Sequence, residues 1–272
     1  MVATACAHRP HTWANLGPTV RYHLAMQATF ATQAPDGPAS VQEALAPIAT
    51  ASRTVDMVLA VGLARQFRDD SLGYLVTFER VSDSADGQDA PTDLQGRSVE
   101  LRRFGDGEIL TVGLSEHVAG GDRQGEIFDL VFPLLSPFPP SLSKPGAAVQ
   151  RAERWPLVAG PNRGWESRIL PTWTWLDNEN VLGSRAFHLS YEGPWGTKGR
   201  DEAHQPKVIV EAEGTVSGQV WYSRPDQDLL AHEFHWTRRV VLQVPGPDGG
   251  GLTVDQDQVF TGRLERVDGG GA

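Results

Sequence analysis

Cysteine is almost missing from this chain: among 272 residues, Cys6 stands alone. Intrachain disulfides and CxxC-type zinc or redox sites are therefore excluded. Positive charge is also short, with 24 Lys and Arg against 34 Asp and Glu. The resulting net charge of -10 argues against a nucleic-acid partner, whose phosphates call for a surplus of cations. No run approaches the ~18 apolar residues of a helical membrane span. Neither a GxSxG nucleophile elbow nor an HExxH zinc motif occurs. The strings Gly105-Asp106-Gly107, Gly249-Gly250-Gly251 and Gly269-Gly270-Gly271 lack the spacing and following helix of a phosphate loop, and read as a turn, a loop and a tail.

What the chain has in quantity is turn formers, 29 Gly and 19 Pro, and between them two-residue alternation. Tyr22, Leu24, Met26, Ala28 and Phe30 alternate with Arg21, His23, Gln27 and Thr29, as in a strand with one wet face. Val55, Met57, Leu59, Val61 and Leu63 repeat the pattern, and so do Tyr74, Val76 and Phe78. Residues 82–92 read as a polar, acidic loop, and residues 96–112 as a hairpin turning at Gly105-Asp106-Gly107. Further strands are expected over 165–176, 181–191, 207–222, 229–244 and 258–267, punctuated at Gly193-Pro194, Pro225-Asp226 and 245–251. Helical text is confined to a short stretch near 41–48 and to 126–135, where Ile127, Leu130, Val131 and Leu134 recur at helical spacing. Phe128, Val131 and Leu134 are expected to pack on the sheet.

These patterns predict an all-β or β-rich α+β fold: long antiparallel strands in a curved sheet or open barrel with a few short helices. The expected organisation is a flexible segment 1–18, a single β-rich domain 19–267 and a disordered tail 268–272. So much apolar strand face exceeds the evident helical cover. An apolar cavity is therefore expected, lined by Leu24, Met26, Leu59, Val61, Val76, Trp173 and Trp175 and opening beside a Trp.

At the N-terminus, Thr4 and Ala5 directly precede Cys6, which resembles the end of a bacterial lipoprotein signal. Ala3 stands where Leu is usual, and the basic and apolar regions of a leader are missing. The likeness implies lipidation at Cys6, and Ala7 after it resembles an outer-membrane retention signal. The mid-chain segment 128–137, followed by Lys144-Pro145-Gly146 and Trp155, and a hairpin over 211–222 resemble elements of secreted proteins, while the strands 19–33 and 53–67 and the Leu94-Gln95-Gly96-Arg97 stretch leading into a hairpin are similar to bacterial envelope lipoproteins. Among these is the carrier and receptor superfamily with an open β-barrel. That resemblance implies a concavity binding acyl chains or an apolar partner segment. No functional residue carries over, because the arginine that holds the carriers' barrel mouth has no counterpart placed here.

Other clusters have plain structural explanations. His232 and His235 flank Glu233-Phe234, but on a strand they point to opposite faces rather than to one metal. Asp69-Asp70 and Asp255/Asp257 read as turn or strand-edge charge. Glu211 and Glu213 share a strand face, as a glycosidase pair requires, although charged strand faces are usually only solvated. Among eight tryptophans, Trp173 and Trp175 lie two apart on one strand face, with Trp165 on the same strand, while Trp195, Trp221 and Trp236 lie on or near later strands. They suit a core or an aromatic-lined mouth. No catalytic residue, metal ligand or cofactor is expected. The expectation is a non-enzymatic cell-envelope protein, an outer-membrane lipoprotein or periplasmic, binding a lipid or acyl chain. The alternatives are an interaction subunit of an envelope assembly, a carbohydrate-binding or carbohydrate-active β-sandwich and, for location, the cytoplasm.

Overall fold

The computed structural model describes residues 19–66, 72–89, 94–103, 109–114, 130–135, 142–156, 166–201, 208–224, 228–245 and 251–267. Cys6, Asp69-Asp70, Phe128, Trp165 and the turn at Gly105-Asp106-Gly107 lie outside them.

The first long strands are β1 (Val20–Gln33), β2 (Thr50–Gln66) and β3 (Leu72–Ala85), followed by β4 (Gln88–Asp89), β5 (Ser98–Arg103) and β6 (Ile109–Leu114). The short strands β7 (Ala148–Gln150), β8 (Glu153–Pro156) and β9 (Glu166–Ile169) come next. Then come β10 (Thr172–Val181), β11 (Ser184–Asp201), β12 (Val208–Ser223), β13 (Leu229–Pro245) and β14 (Gly251–Arg266). All fourteen belong to one sheet in the order β6-β5-β3-β2-β1-β14-β13-β12-β11-β10-β7, with β4 beside β3 and β9 linking β8 to β11. Among the described residues every ladder is antiparallel. Two meanders are thus joined along the β1–β14 seam, where Tyr22 faces Arg266 and Gln33 faces Asp255. The sheet curves until Cα atoms of β6 and β8 come within 8 Å, and among the described residues no ladder joins those two strands. It is a curved, unclosed all-β fold.

The alternation predicted in the first half explains the layering. On β1 the buried set is Val20, Tyr22, Leu24, Met26 and Ala28. Leu24 stands between Met57 of β2 and Leu264 of β14, and Val61 opposes Val76 of β3. All of these join a single apolar core with Trp173, Tyr191, Val220, Phe234 and Phe260 from the other meander. Each such side chain contributes roughly 1.5–3 kcal/mol by leaving water. Helical cover is slight. The helix α1 (Ala39–Leu45) buries none of its residues and contributes none to the core. The turn ending in the 3-10 helix Phe132–Leu135 puts Leu130, Val131 and Leu134 into the core, as the helical spacing there predicted for Val131 and Leu134.

Several sequence boundaries need correction. Residues 82–92 are not simply a loop: β3 continues to Ala85 and reverses at Asp86-Gly87 (φ 50° and 77°) into β4. Residues 82–89 are polar or small and none of them is buried, so apolar alternation vanishes, and the Asp-Gly pair was the readable hairpin signal. A matching turn at Leu182-Gly183 (φ 51° and 77°) joins β10 to β11. The single strand read over 165–176 is two, β9 and β10, parted at Leu170-Pro171. Gly193-Pro194 does not end a strand, because β11 runs straight through it. Opposite that dipeptide, β11 changes partner from β10 at Glu192 to β9 at Trp195, with Leu170 N–H donating to the Pro194 carbonyl. The last strand starts at Gly251, earlier than the 258 expected, because Asp255 and Asp257 interrupt its apolar text.

Candidate functional site

The residues expected to line a cavity are all placed on the inner, concave face. Leu24 and Met26 come from β1, Leu59 and Val61 from β2, Val76 from β3, and Trp173 and Trp175 from β10. The aliphatic five are contiguous across neighbouring strands, while the two tryptophans belong to the far meander. All seven are buried, Leu24, Leu59, Val76 and Trp173 completely. Side chains with no accessible area meet neighbours rather than space for water.

An aromatic row that the sequence did not reveal crosses this face. Ring centroids step from Trp173 to Tyr191 (5.1 Å), His232 (5.7 Å), Phe234 (5.5 Å), Trp236 (4.6 Å), Phe260 (6.0 Å) and Phe30 (5.8 Å). Offset and edge contacts of this kind add about 0.5–1.5 kcal/mol per pair beyond burial. Where the row ends, Arg238 points inward, its guanidinium 4.9 Å from the Phe260 ring and 5.7 Å from Trp195. Its Nε donates to Gln258 Oε1, Gln258 to Gln256, and Gln256 Nε2 to Thr32 Oγ1 at 2.9 Å. One end of the concave face is therefore polar.

His232 is the polar group at the centre of the row. It is fully buried, its Nδ1 lies 2.8 Å from the Pro133 carbonyl and its Nε2 2.8 Å from the Tyr191 hydroxyl. A carbonyl only accepts, so Nδ1 carries the hydrogen and Nε2 accepts from Tyr191. This bond ties the segment 130–135 to the sheet wall. Burial pushes the His232 pKa down to about 4, against a smaller opposing pull from the Pro133 carbonyl. With the native value below the ordinary 6.5, the unfolded chain binds the proton first as pH falls. The contribution is therefore complete above about 6.5 and is lost as pH drops toward 4, amounting to about 3 kcal/mol. Denaturation across that window should show the loss in the wild type and a flatter profile in His232→Gln. An equal slope in both would place the titration elsewhere.

The remaining candidates are separated by the fold. His235 is exposed on the convex face, bonded to Thr261 Oγ1, so it shares no site with His232. Glu211 and Glu213 are exposed on the convex face, Glu213 facing Arg239, which pairs with Asp255 at 2.6 Å. The carboxylates of Asp255, Asp257 and Glu213 hold the Arg239 pKa above its ordinary value, chiefly through the Asp255 hydrogen bond. Trp173, Trp175, Trp221 and Trp236 are buried and Trp195 is half-buried, so none of these offers a sugar an open ring. One set of metal-ligand type occurs among the described residues, Asp177, Glu179 and His188 on the convex face. The fold and its concave face thus define an all-β protein with an open, barrel-like sheet. No protein-family model matches the chain, and no curated protein matches it.

Proposed function

We propose that this chain is a non-enzymatic binding protein of the cell envelope that takes an acyl chain or lipid against its concave face. The observation that carries the reading is the continuous apolar, aromatic inner face of an unclosed sheet, over which the described helical cover is only Leu130–Leu135. An apolar occupant enters by exchanging with that segment, which is tied to the wall through the Pro133–His232 bond. The polar end at Arg238 and Gln258 suits a headgroup, and Cys6 supplies the membrane anchor. Extraction of the purified, natively expressed protein followed by mass spectrometry tests both parts. Stoichiometric lipid, and a diacylglyceryl mass on the peptide carrying Cys6, are expected. The full burial of Leu24, Leu59, Val76 and Trp173 favours a second reading, an interaction subunit whose core needs no ligand. Lipid-free, monodisperse protein would select it over the first.

A further inference from the structure

The convex face of the β10–β11 hairpin carries a different chemistry. His188 Nδ1 lies 3.0 Å from Asp177 Oδ1 and 3.0 Å from Glu179 Oε1. The three ligand-type atoms all fall within 4.8 Å of one another. The imidazole is nine-tenths buried, whereas the Asp177 and Glu179 side chains are 60% and 43% exposed. From this geometry we infer a binding site for a divalent transition-metal ion of the zinc type, held by Asp177, Glu179 and His188, with water completing the coordination on the open side.

Two carboxylates converging on one ring nitrogen are more than its single hydrogen can serve, since one N–H points at one oxygen. A cation serves both. Tetrahedral ligands at ~2.0–2.2 Å from zinc stand roughly 3.3 Å apart, so the two 3.0 Å spacings to His188 Nδ1 need to open by only a few tenths of an ångström. A nitrogen ligand and so few oxygens do not suit calcium or magnesium, which take about six or more oxygen ligands.

Each ligand is also held from behind. His188 Nε2 lies 2.9 Å from Gln219 Oε1, which as an acceptor fixes the hydrogen on Nε2 and leaves the Nδ1 lone pair for the ion. The ring stacks on Trp221, 4.7 Å between centroids and 10° between planes. Trp221 Nε1 donates to Glu179 Oε2 at 3.1 Å, leaving Oε1 free to ligate. Trp175 Nε1 donates to the Asp177 carbonyl at 2.8 Å and fixes that backbone.

The backbone itself is built for this placement. Trp173 and Trp175 face inward, so strict two-residue alternation would send Asp177 and Glu179 into the core. A bulge between Trp175 and Asp177 puts Asp177 opposite His188 instead, and both carboxylates emerge on the histidine's face. Bulges commonly re-aim side chains beside functional sites.

The experiment is titration calorimetry of the full chain with Zn²⁺ near neutral pH, repeated on Asp177→Asn, Glu179→Gln and Gln219→Ala and with Mg²⁺ and Ca²⁺. The expected result is one site of about 10 µM or tighter for Zn²⁺. Each ligand variant should weaken it by at least about tenfold, and Gln219→Ala by about 10–100-fold, with the melting temperature near wild type. Three outcomes would overturn the assignment: no saturable Zn²⁺ binding, binding unchanged in both carboxylate variants, or a preference for Mg²⁺ or Ca²⁺. None depends on what the concave face binds.

Discussion

Gly214→Ala is expected to destabilise the fold by more than about 4 kcal/mol, or to prevent folding. Gly214 lies within β12, opposite Trp195 of β11 and Arg238 of β13. A Cβ built there would sit 1.8 Å from the Thr237 carbonyl oxygen and 2.7 Å from the Arg238 Cα, both backbone atoms of the next strand. No rotamer relieves such a clash, so the β12–β13 ladder must open. Overpacking that side-chain shifts can absorb costs only ~1–3 kcal/mol. Gly196→Ala is the internal control, because its Cβ would meet only the Ala212 carbonyl at 3.8 Å. That variant should stay within about 1 kcal/mol of wild type. Denaturant unfolding of the pair checks the difference, and equal stabilities would show that β12 and β13 do not approach so closely.

Truncation of Trp173 is the second large effect. This side chain is fully buried, its ring 5.1 Å from Tyr191 at the start of the aromatic row. Trp173→Ala should cost ~3–5 kcal/mol, the transfer of a large ring to water plus the cavity left behind. Its Nε1 has no hydrogen-bond partner among the described residues, so the wild type already bears the cost of a buried, unmet donor. Trp173→Phe removes that donor together with some volume and is therefore expected to lose less than about 2 kcal/mol. If the two variants lose equal stability, the indole nitrogen is satisfied in solution.

The parts legible in the sequence are those with one wet and one dry face. β1 and β2 meet that condition along most of their length, so Leu24, Met26, Leu59 and Val61 could be assigned to the inner face from alternation alone. The same reasoning put Trp173 and Trp175 together. It could not carry past Leu176, because a bulge changes which face each later residue occupies and leaves no mark in composition. Asp177 and Glu179 were therefore unreadable as partners of His188. The role of His232 depends on a bond to Pro133, 99 positions away, and the aromatic row spans strands from both ends of the chain. Such placements follow from strand order, which local patterning does not encode.

The seam between β1 and β14 also sets how this chain must fold. Within each meander, most neighbouring strands are close in sequence, and their hairpins close cheaply. The seam instead joins the two ends of the described chain, so its pairing pays the full loop-closure entropy before any ladder bond rewards it. Non-local antiparallel topologies of this kind fold on the order of milliseconds to seconds. Until the seam forms, β1 and β14 are two long, unpaired edges with apolar faces. Protection of their amides against hydrogen exchange therefore reports the completion of the whole sheet.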